Sequence, residues 1–178
     1  MNMRKTVHKF GGFILIEMIM AIVLLGVIGV FTSMFLYTGI KGYLIAKQTT
    51  DGAMRAQVAL DRINLELRKI TDLPGPAPNP KPDEITYTTD DLPGTRKILY
   101  DSDANTISIE VNIGGDINTY LLLDRVATFN LTWEEANLDN SGDASKEIAG
   151  INVEFTLEDV GRPFNMRIYP RNWLTALP

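Results

Sequence analysis

Apolar residues are spread unevenly along this chain, and their pattern changes three times. From Phe13 to Ile40 the chain is apolar and carries one charge, Glu17. Beyond it the apolar positions narrow to a stripe. Ala46, Thr49, Ala53, Ala56, Leu60, Ile63, Leu67 and Ile70 recur at spacings of 3 or 4, which predicts a helix with one buried face. Arg55, Asp61, Arg62, Glu66, Arg68 and Lys69 fall opposite and read as a solvated face. Gly39, Gly42 and Gly52 each weaken a helix by about 1 kcal/mol relative to alanine, so they read as flexible or partly melted turns. LPGPAPNPKP then sets five prolines within residues 74–82. That density ends the helix and predicts a stiff, extended connector.

After the prolines the period changes from that of a helix to that of a strand. EITYTT, KILYD and TISIEV read as strands, with SDAN as a hairpin turn and TDDLPGT as a turn or loop. TYLLLD follows, and FNLTW places Phe129, Leu131 and Trp133 on one face. INVEFTLED alternates cleanly, with Ile151, Val153, Phe155 and Leu157 inward and Asn152, Glu154, Thr156 and Glu158 outward. Phe164, Met166 and Ile168 supply a last strand after the VGRP turn. Antiparallel strands laid on the second half of the long helix would bury both apolar faces, an α+β arrangement.

Composition narrows the chemistry. Cysteine is absent, which removes disulfides and thiolate metal sites. The single histidine, His8, lies in the first twelve residues together with Arg4, Lys5 and Lys9 and no acid. Such a basic flank is held on the cytoplasmic side of a membrane. Phe13 to Tyr37 is 25 residues, about 37 Å as a helix, against a hydrocarbon core of roughly 30 Å. The run is too long for an ordinary signal peptide. A plain signal anchor fits its length but leaves Glu17 unexplained. A carboxylate at the centre of a membrane helix costs roughly 2.5–3.5 kcal/mol on insertion scales, and less near the interface.

The basic leader, the Gly12–Phe13 junction and FILIE followed by about twenty apolar residues resemble the class III leader of type IV prepilins and type II secretion pseudopilins. Phe13, Leu15, Ile16 and Glu17 agree with the usual Phe-Thr-Leu-Ile-Glu pattern, and Ile14 replaces its threonine. The resemblance implies cleavage after Gly12 by a prepilin peptidase, N-methylation of Phe13, and a role for Glu17 in subunit assembly. Glu17 lies about 6 Å along the helix from Phe13. The new amine of a neighbouring subunit, displaced axially by a similar distance, would meet this carboxylate in a medium of low dielectric. Such a pair sets stagger as a polar group sets register in a coiled coil.

The resemblance also supplies an expected organisation. It comprises a leader over residues 1–12, the transmembrane half of the helix over 13–40, an amphipathic stem over 41–72, a Pro-rich linker over 73–82 and an antiparallel β-sheet head over 83–178. The unbroken helix from Phe13 to Ile70 would be about 87 Å long. RAQVALDRINLELRKI, LLLDRVATFNLTW and MRIYPRN are similar to J-type minor pseudopilins and related minor pilins. Major type IVa pilins usually close a C-terminal loop with a disulfide, which this chain cannot do. The K-type tip pseudopilin lacks the acid that Glu17 supplies. Implied partners are the prepilin peptidase, other pilin or pseudopilin subunits, the membrane and its inner-membrane assembly platform. The implied location is the bacterial inner membrane, single-pass, with a periplasmic head that later enters a filament. The alternative is a pilin-like adhesin or uptake subunit whose head binds a surface, glycan or DNA.

Other chemistry is weakly signalled. Removing Arg4, Lys5 and Lys9 from 17 basic residues leaves 14 against 22 acidic ones, a side-chain balance of −8. That balance argues against general binding to nucleic acid. The C-terminal mix of Arg162, Arg167 and Arg171 with Phe164, Tyr169 and Trp173 could stack on single strands, but strand alternation accounts for most of it. No G-x-S-x-G, P-loop or H-E-x-x-H pattern occurs, so neither an enzyme nor a resident cofactor is expected. Calcium needs only oxygen ligands. Its candidates are Asp139, Ser141, Asp143 and Glu147, then Asp101, Asp103 and Asn105. Neither set matches an EF-hand loop, whose sixth position is occupied here by Ala144 or Thr106, and solvent-exposed turns are the simpler reading.

Overall fold

The computed structural model of the chain describes residues 15–138, 146–172 and 174. Among them the chain is α+β. Helix α1 (Leu15–Leu67) precedes eight antiparallel strands: β1 (Ile70–Asp72), β2 (Glu84–Thr89), β3 (Leu92–Asp101), β4 (Thr106–Ile113), β5 (Asp116–Leu123), β6 (Val126–Ala136), β7 (Glu147–Leu157) and β8 (Pro163–Ile168). Two sheets form rather than one, β1-β2-β3-β4-β5 and β6-β7-β8, each in sequence order. The chain divides into two compact units, residues 1–46 and 47–178. In the first, the described residues are all helix and all exposed. The second, the head, joins the rest of α1 to both sheets.

The head's core begins on the helix. Ala56, Leu60, Ile63 and Leu67 are buried as the spacing predicts, whereas Ala46 is exposed and Thr49 and Ala53 are only part-buried. Gly52 and Ala59 take the small positions instead. A Cβ on Gly52 would stand 2.9 Å from Val160 Cγ2, so this glycine is a packing contact inside a continuous helix and not a melted turn. Burying a Leu or Ile side chain is worth about 1.5–3 kcal/mol, and the two sheets supply the facing residues. These include Ile85 and Tyr87 from β2, Ile107 and Ile109 from β4, and Ile151, Val153 and Phe155 from β7.

The helix stops at Leu67 rather than continuing to residue 72. Arg68 and Lys69 close the last turn through the carbonyls of Asn64 and Glu66. Ile70, fully buried, then pairs with Thr89 as the start of β1. Pro74 disfavours helix in the residue before it, and the chain ends its helix earlier, where Ile70 gains a strand partner. The C-terminal segment returns here. Arg171 N–H donates to Arg68 O at 3.1 Å, and Asn172 Nδ2 donates to Ile70 O at 2.7 Å. One orphan helix carbonyl is satisfied that way.

In the sheets, β7 shows the expected alternation, with Ile151, Val153, Phe155 and Leu157 buried. Phe155 stacks on Phe164 of β8 at 5.6 Å between centroids. Leu131 is buried, and Phe129 and Trp133 pack part-buried against the same core. TDDLPGT, read as a turn or loop, departs from that reading. Leu92–Thr95 extends β3 and pairs with β2 and β4. Gly94 makes this possible with φ +85, because a Cβ there would lie 2.2 Å from Asn112 O. The Pro-rich stretch is also more than a free extended connector. Asn79, buried, donates from Nδ2 to Pro74 O (2.9 Å) and Thr86 O (2.8 Å) and accepts from Thr86 N–H at Oδ1 (3.1 Å). Those bonds fold residues 74–80 back as a strap beside β2.

Candidate functional site

Glu17 lies in the first turn of α1, exposed, and is the only acidic or basic residue between Leu15 and Ile40. Leucine, isoleucine, valine, methionine and phenylalanine side chains surround it along this run. Leu15, Val30, Phe31, Met34 and Phe35 are each 69% exposed or more. Such a surface is unfavourable in water and favourable in hydrocarbon. The polar groups that interrupt it are satisfied within the helix. Thr32, Ser33 and Thr38 hydroxyls donate to the carbonyls of Ile28, Gly29 and Met34 at 2.8–2.9 Å. α1 is thus long and apolar enough to cross a membrane once, as a single-pass membrane protein would.

Gly26, Gly29, Gly39 and Gly42 have nothing within 4 Å of where a Cβ would stand. No contact inside the chain requires a small residue there. Close approach of a second helix is what small residues permit in a membrane. Gly12 and Phe13, the expected cleavage and methylation positions, lie outside the described residues.

Of the calcium candidates, Asp139, Ser141 and Asp143 also lie outside them. Glu147 is described and is buried at the start of β7, where Oε2 accepts the Leu138 N–H at 2.8 Å. It ties the segment that follows β6 to the beginning of β7. In the second candidate set Asp101 Oδ1 accepts the backbone N–H groups of Asp103 (2.9 Å) and Ala104 (3.0 Å). Asn105, at φ 55, donates from Nδ2 to Glu158 Oε1. These side chains build a turn of the kind Asp and Asn favour. Among the described residues no three His, Cys, Asp or Glu side chains are grouped to hold a metal ion. In the C-terminal basic–aromatic segment, Arg167 pairs with Glu134 and lies 5.2 Å from the Tyr169 ring centroid. Ile168 is buried, Phe164 and Met166 part-buried, and Trp173 is outside the described residues.

The strongest electrostatic feature of the head is one that the helix pattern placed on a solvated face. Glu66 is 4% exposed. Its Oε1 meets Arg62 Nη2 at 2.6 Å and Arg96 Nη2 at 3.1 Å. Its Oε2 accepts the Tyr87 hydroxyl at 3.0 Å and faces Arg96 Nε at 2.9 Å. Helix, β2 and β3 are joined at this carboxylate. Burial first, and then the Glu66 charge, push the Tyr87 hydroxyl well above its ordinary pKa. Both carboxylate oxygens are occupied by charged or hydroxyl donors, so the cluster is suited to fixing the helix against the sheet.

Compared with known proteins, the chain matches no protein family, no curated relative and no solved structure.

Proposed function

We propose that this chain is a minor pilin or pseudopilin, a non-catalytic structural subunit that joins, primes or caps a type IV pilus or a type II secretion pseudopilus. In this reading a prepilin peptidase removes residues 1–12 and methylates Phe13. The chain waits in the bacterial inner membrane as a single-pass protein with its head in the periplasm. The assembly platform then passes it into a filament of other pilin or pseudopilin subunits. No cofactor takes part.

The observation that carries the reading is the single carboxylate of Glu17 on the otherwise apolar, exposed stretch of α1 from Leu15 to Ile40. An acid in hydrocarbon is a liability unless a cation meets it. A processed amine at Phe13 of the next subunit is such a cation, and Phe13 stands four residues before Glu17 in the sequence. The glycine surfaces at 26, 29, 39 and 42 leave room for a neighbouring helix. A second reading, an adhesin or uptake subunit, is favoured by one observation in the head, a preformed cleft under the proline strap.

The test is incorporation of Glu17→Ala into filaments sheared from cells that also make the unaltered subunits. The variant is expected in the membrane fraction, processed but depleted from filaments. Filaments that carry it at the unaltered level would refute the role of Glu17.

A further inference from the structure

The proline strap does more than connect. Pinned by the three Asn79 hydrogen bonds, it holds Pro76 and Pro78 over the outer face of the five-stranded sheet and leaves a cleft of about 240 Å³ between them. That volume lies below the ~300–1,000 Å³ of sites for drug-sized ligands. One six-membered ring fits it, and a longer ligand would enter by its end.

The lining has two chemically distinct sides. The proline rings form an apolar wall, extended by Ile117 of β5. The floor is polar and is set by strand register in two adjacent rows. Thr86, Lys97 and Glu110 stand side by side across β2, β3 and β4, and Thr95 and Asn112 stand side by side in the next row. The Thr86 and Thr95 hydroxyls make no internal hydrogen bond with the described residues. Asn112, which lines the cleft, uses its Oδ1 for the Gly115 N–H at 3.1 Å, and its side-chain amide donates to none of the described residues.

Charge selects among possible occupants. Lys97 Nζ lies between Glu84 (3.5 Å) and Glu110 (3.9 Å), and Lys81 pairs with Glu84 from the strap side. Two cations answer two carboxylates, and Arg96, which also lines the cleft, is held by Glu66, so neither an anion nor a cation finds an uncompensated partner here. Glu110, held loosely at 3.9 Å, retains acceptor capacity for hydroxyl donors. A ligand that suits the cleft is neutral, one ring wide, apolar on one face and rich in hydroxyls at its edge.

We infer that the cleft between Pro76/Pro78 and the Lys97–Glu110–Asn112 floor binds a neutral pyranose, the terminal sugar of a glycan. The ring's C–H face packs on the prolines. Its hydroxyls donate to Glu110 and accept from Lys97 and the Asn112 amide. The site lies wholly in the head and involves neither the leader nor Glu17, so it stands or falls separately from filament entry.

The experiment is saturation-transfer NMR on the full chain in a zwitterionic detergent without sugar headgroups. The probes are methyl glucopyranoside, methyl galactopyranoside and N-acetylglucosamine, with glucuronic acid as the anionic counterpart. At least one neutral sugar is expected to receive transfer at its ring protons, and glucuronic acid to receive less. Glu110→Gln and Asn112→Ala should each weaken that binding on the order of tenfold, whereas Asn130→Ala on the other sheet should leave it unchanged. Far-ultraviolet circular dichroism serves to check that each variant is folded. No transfer to any neutral sugar at tens of millimolar overturns the inference. Equal transfer in the folded Glu110 and Asn112 variants, or a preference for glucuronic acid, overturns it as well.

Discussion

Glu66 on the helix and Arg96 on β3 face each other as a buried pair, with Oε1 to Nη2 at 3.1 Å and Oε2 to Nε at 2.9 Å. The Nη2 contact is a directed hydrogen bond, while the Nε contact has the distance of an ion pair without hydrogen-bond alignment. Arg62, nearly half exposed, reaches the same carboxylate from one turn earlier on the helix. Two ions buried together cost solvation that their attraction only partly returns. Their clearest contribution is registry, since only one rotation and height of the helix brings Glu66 onto both Arg96 and Tyr87.

Glu66→Ala should therefore be severe. It strands the Arg96 guanidinium, 8% exposed, without its carboxylate. The expected loss is about 3–5 kcal/mol in chemical denaturation of the full chain in micelles. Arg62→Ala removes a half-exposed partner and should cost no more than about 1 kcal/mol. Equal losses for the two would contradict the assignment of Arg96 as the principal partner.

Tyr87 gives the pair a signature in alkali. Its pKa is raised in the folded chain, chiefly by burial, above the ordinary value near 10 of the unfolded chain. The folded state therefore holds the proton more tightly. That contribution is fully present below about pH 10 and is lost as pH rises from there, at up to ~1.4 kcal/mol per pH unit. Tyr87→Phe should remove this slope while lowering neutral-pH stability by about 1.5–3 kcal/mol. Stability curves measured from pH 8 to pH 11 would check both effects.

Gly94→Ala tests the extension of β3. The φ of +85 costs a side chain roughly 1–2 kcal/mol, and a Cβ 2.2 Å from Asn112 O forces the backbone apart as well. A loss of at least about 2 kcal/mol is expected. Gly42→Ala, with open space around it, should by contrast strengthen the helix by up to about 1 kcal/mol. Thermal melts of the two variants should shift in opposite directions.

Asn79→Ala should release the strap. Three backbone groups lose their partners, Pro74 O and both polar groups of Thr86. At about 0.5–1.5 kcal/mol per bond the loss should be roughly 2–4 kcal/mol. Residues 74–80 should then exchange amide hydrogens and yield to protease sooner than the strands do. Unchanged protection of the strap would show that the prolines hold it without Asn79.

Regular periodicity made much of the fold legible in the sequence. Ile151, Val153, Phe155 and Leu157 alternate without exception, and the apolar run after Phe13 admits no other element. Glu66 was not legible from its charge, which argues for solvent. Its position argues otherwise, since it sits three residues after Ile63 and beside Leu67 on the buried arc. Arg96 carries the complementary signal. It shares strand phase with Ile98, so an inward arginine on β3 needed a buried acid somewhere. Pro93-Gly94 read as a turn because that dipeptide usually is one, yet a positive φ is tolerated within the strand wherever glycine supplies it. The division into two sheets had no local signal at all, because it depends on which strands meet across the core.

The most direct test of the subunit assignment is the mass of the amino-terminal peptide of the protein purified from cells with and without an active prepilin peptidase. A peptide beginning at N-methylated Phe13, found only where the peptidase is active, is the predicted result. A chain that keeps residues 1–12 despite active peptidase, or is cut elsewhere, would contradict it and leave Glu17 without its partner.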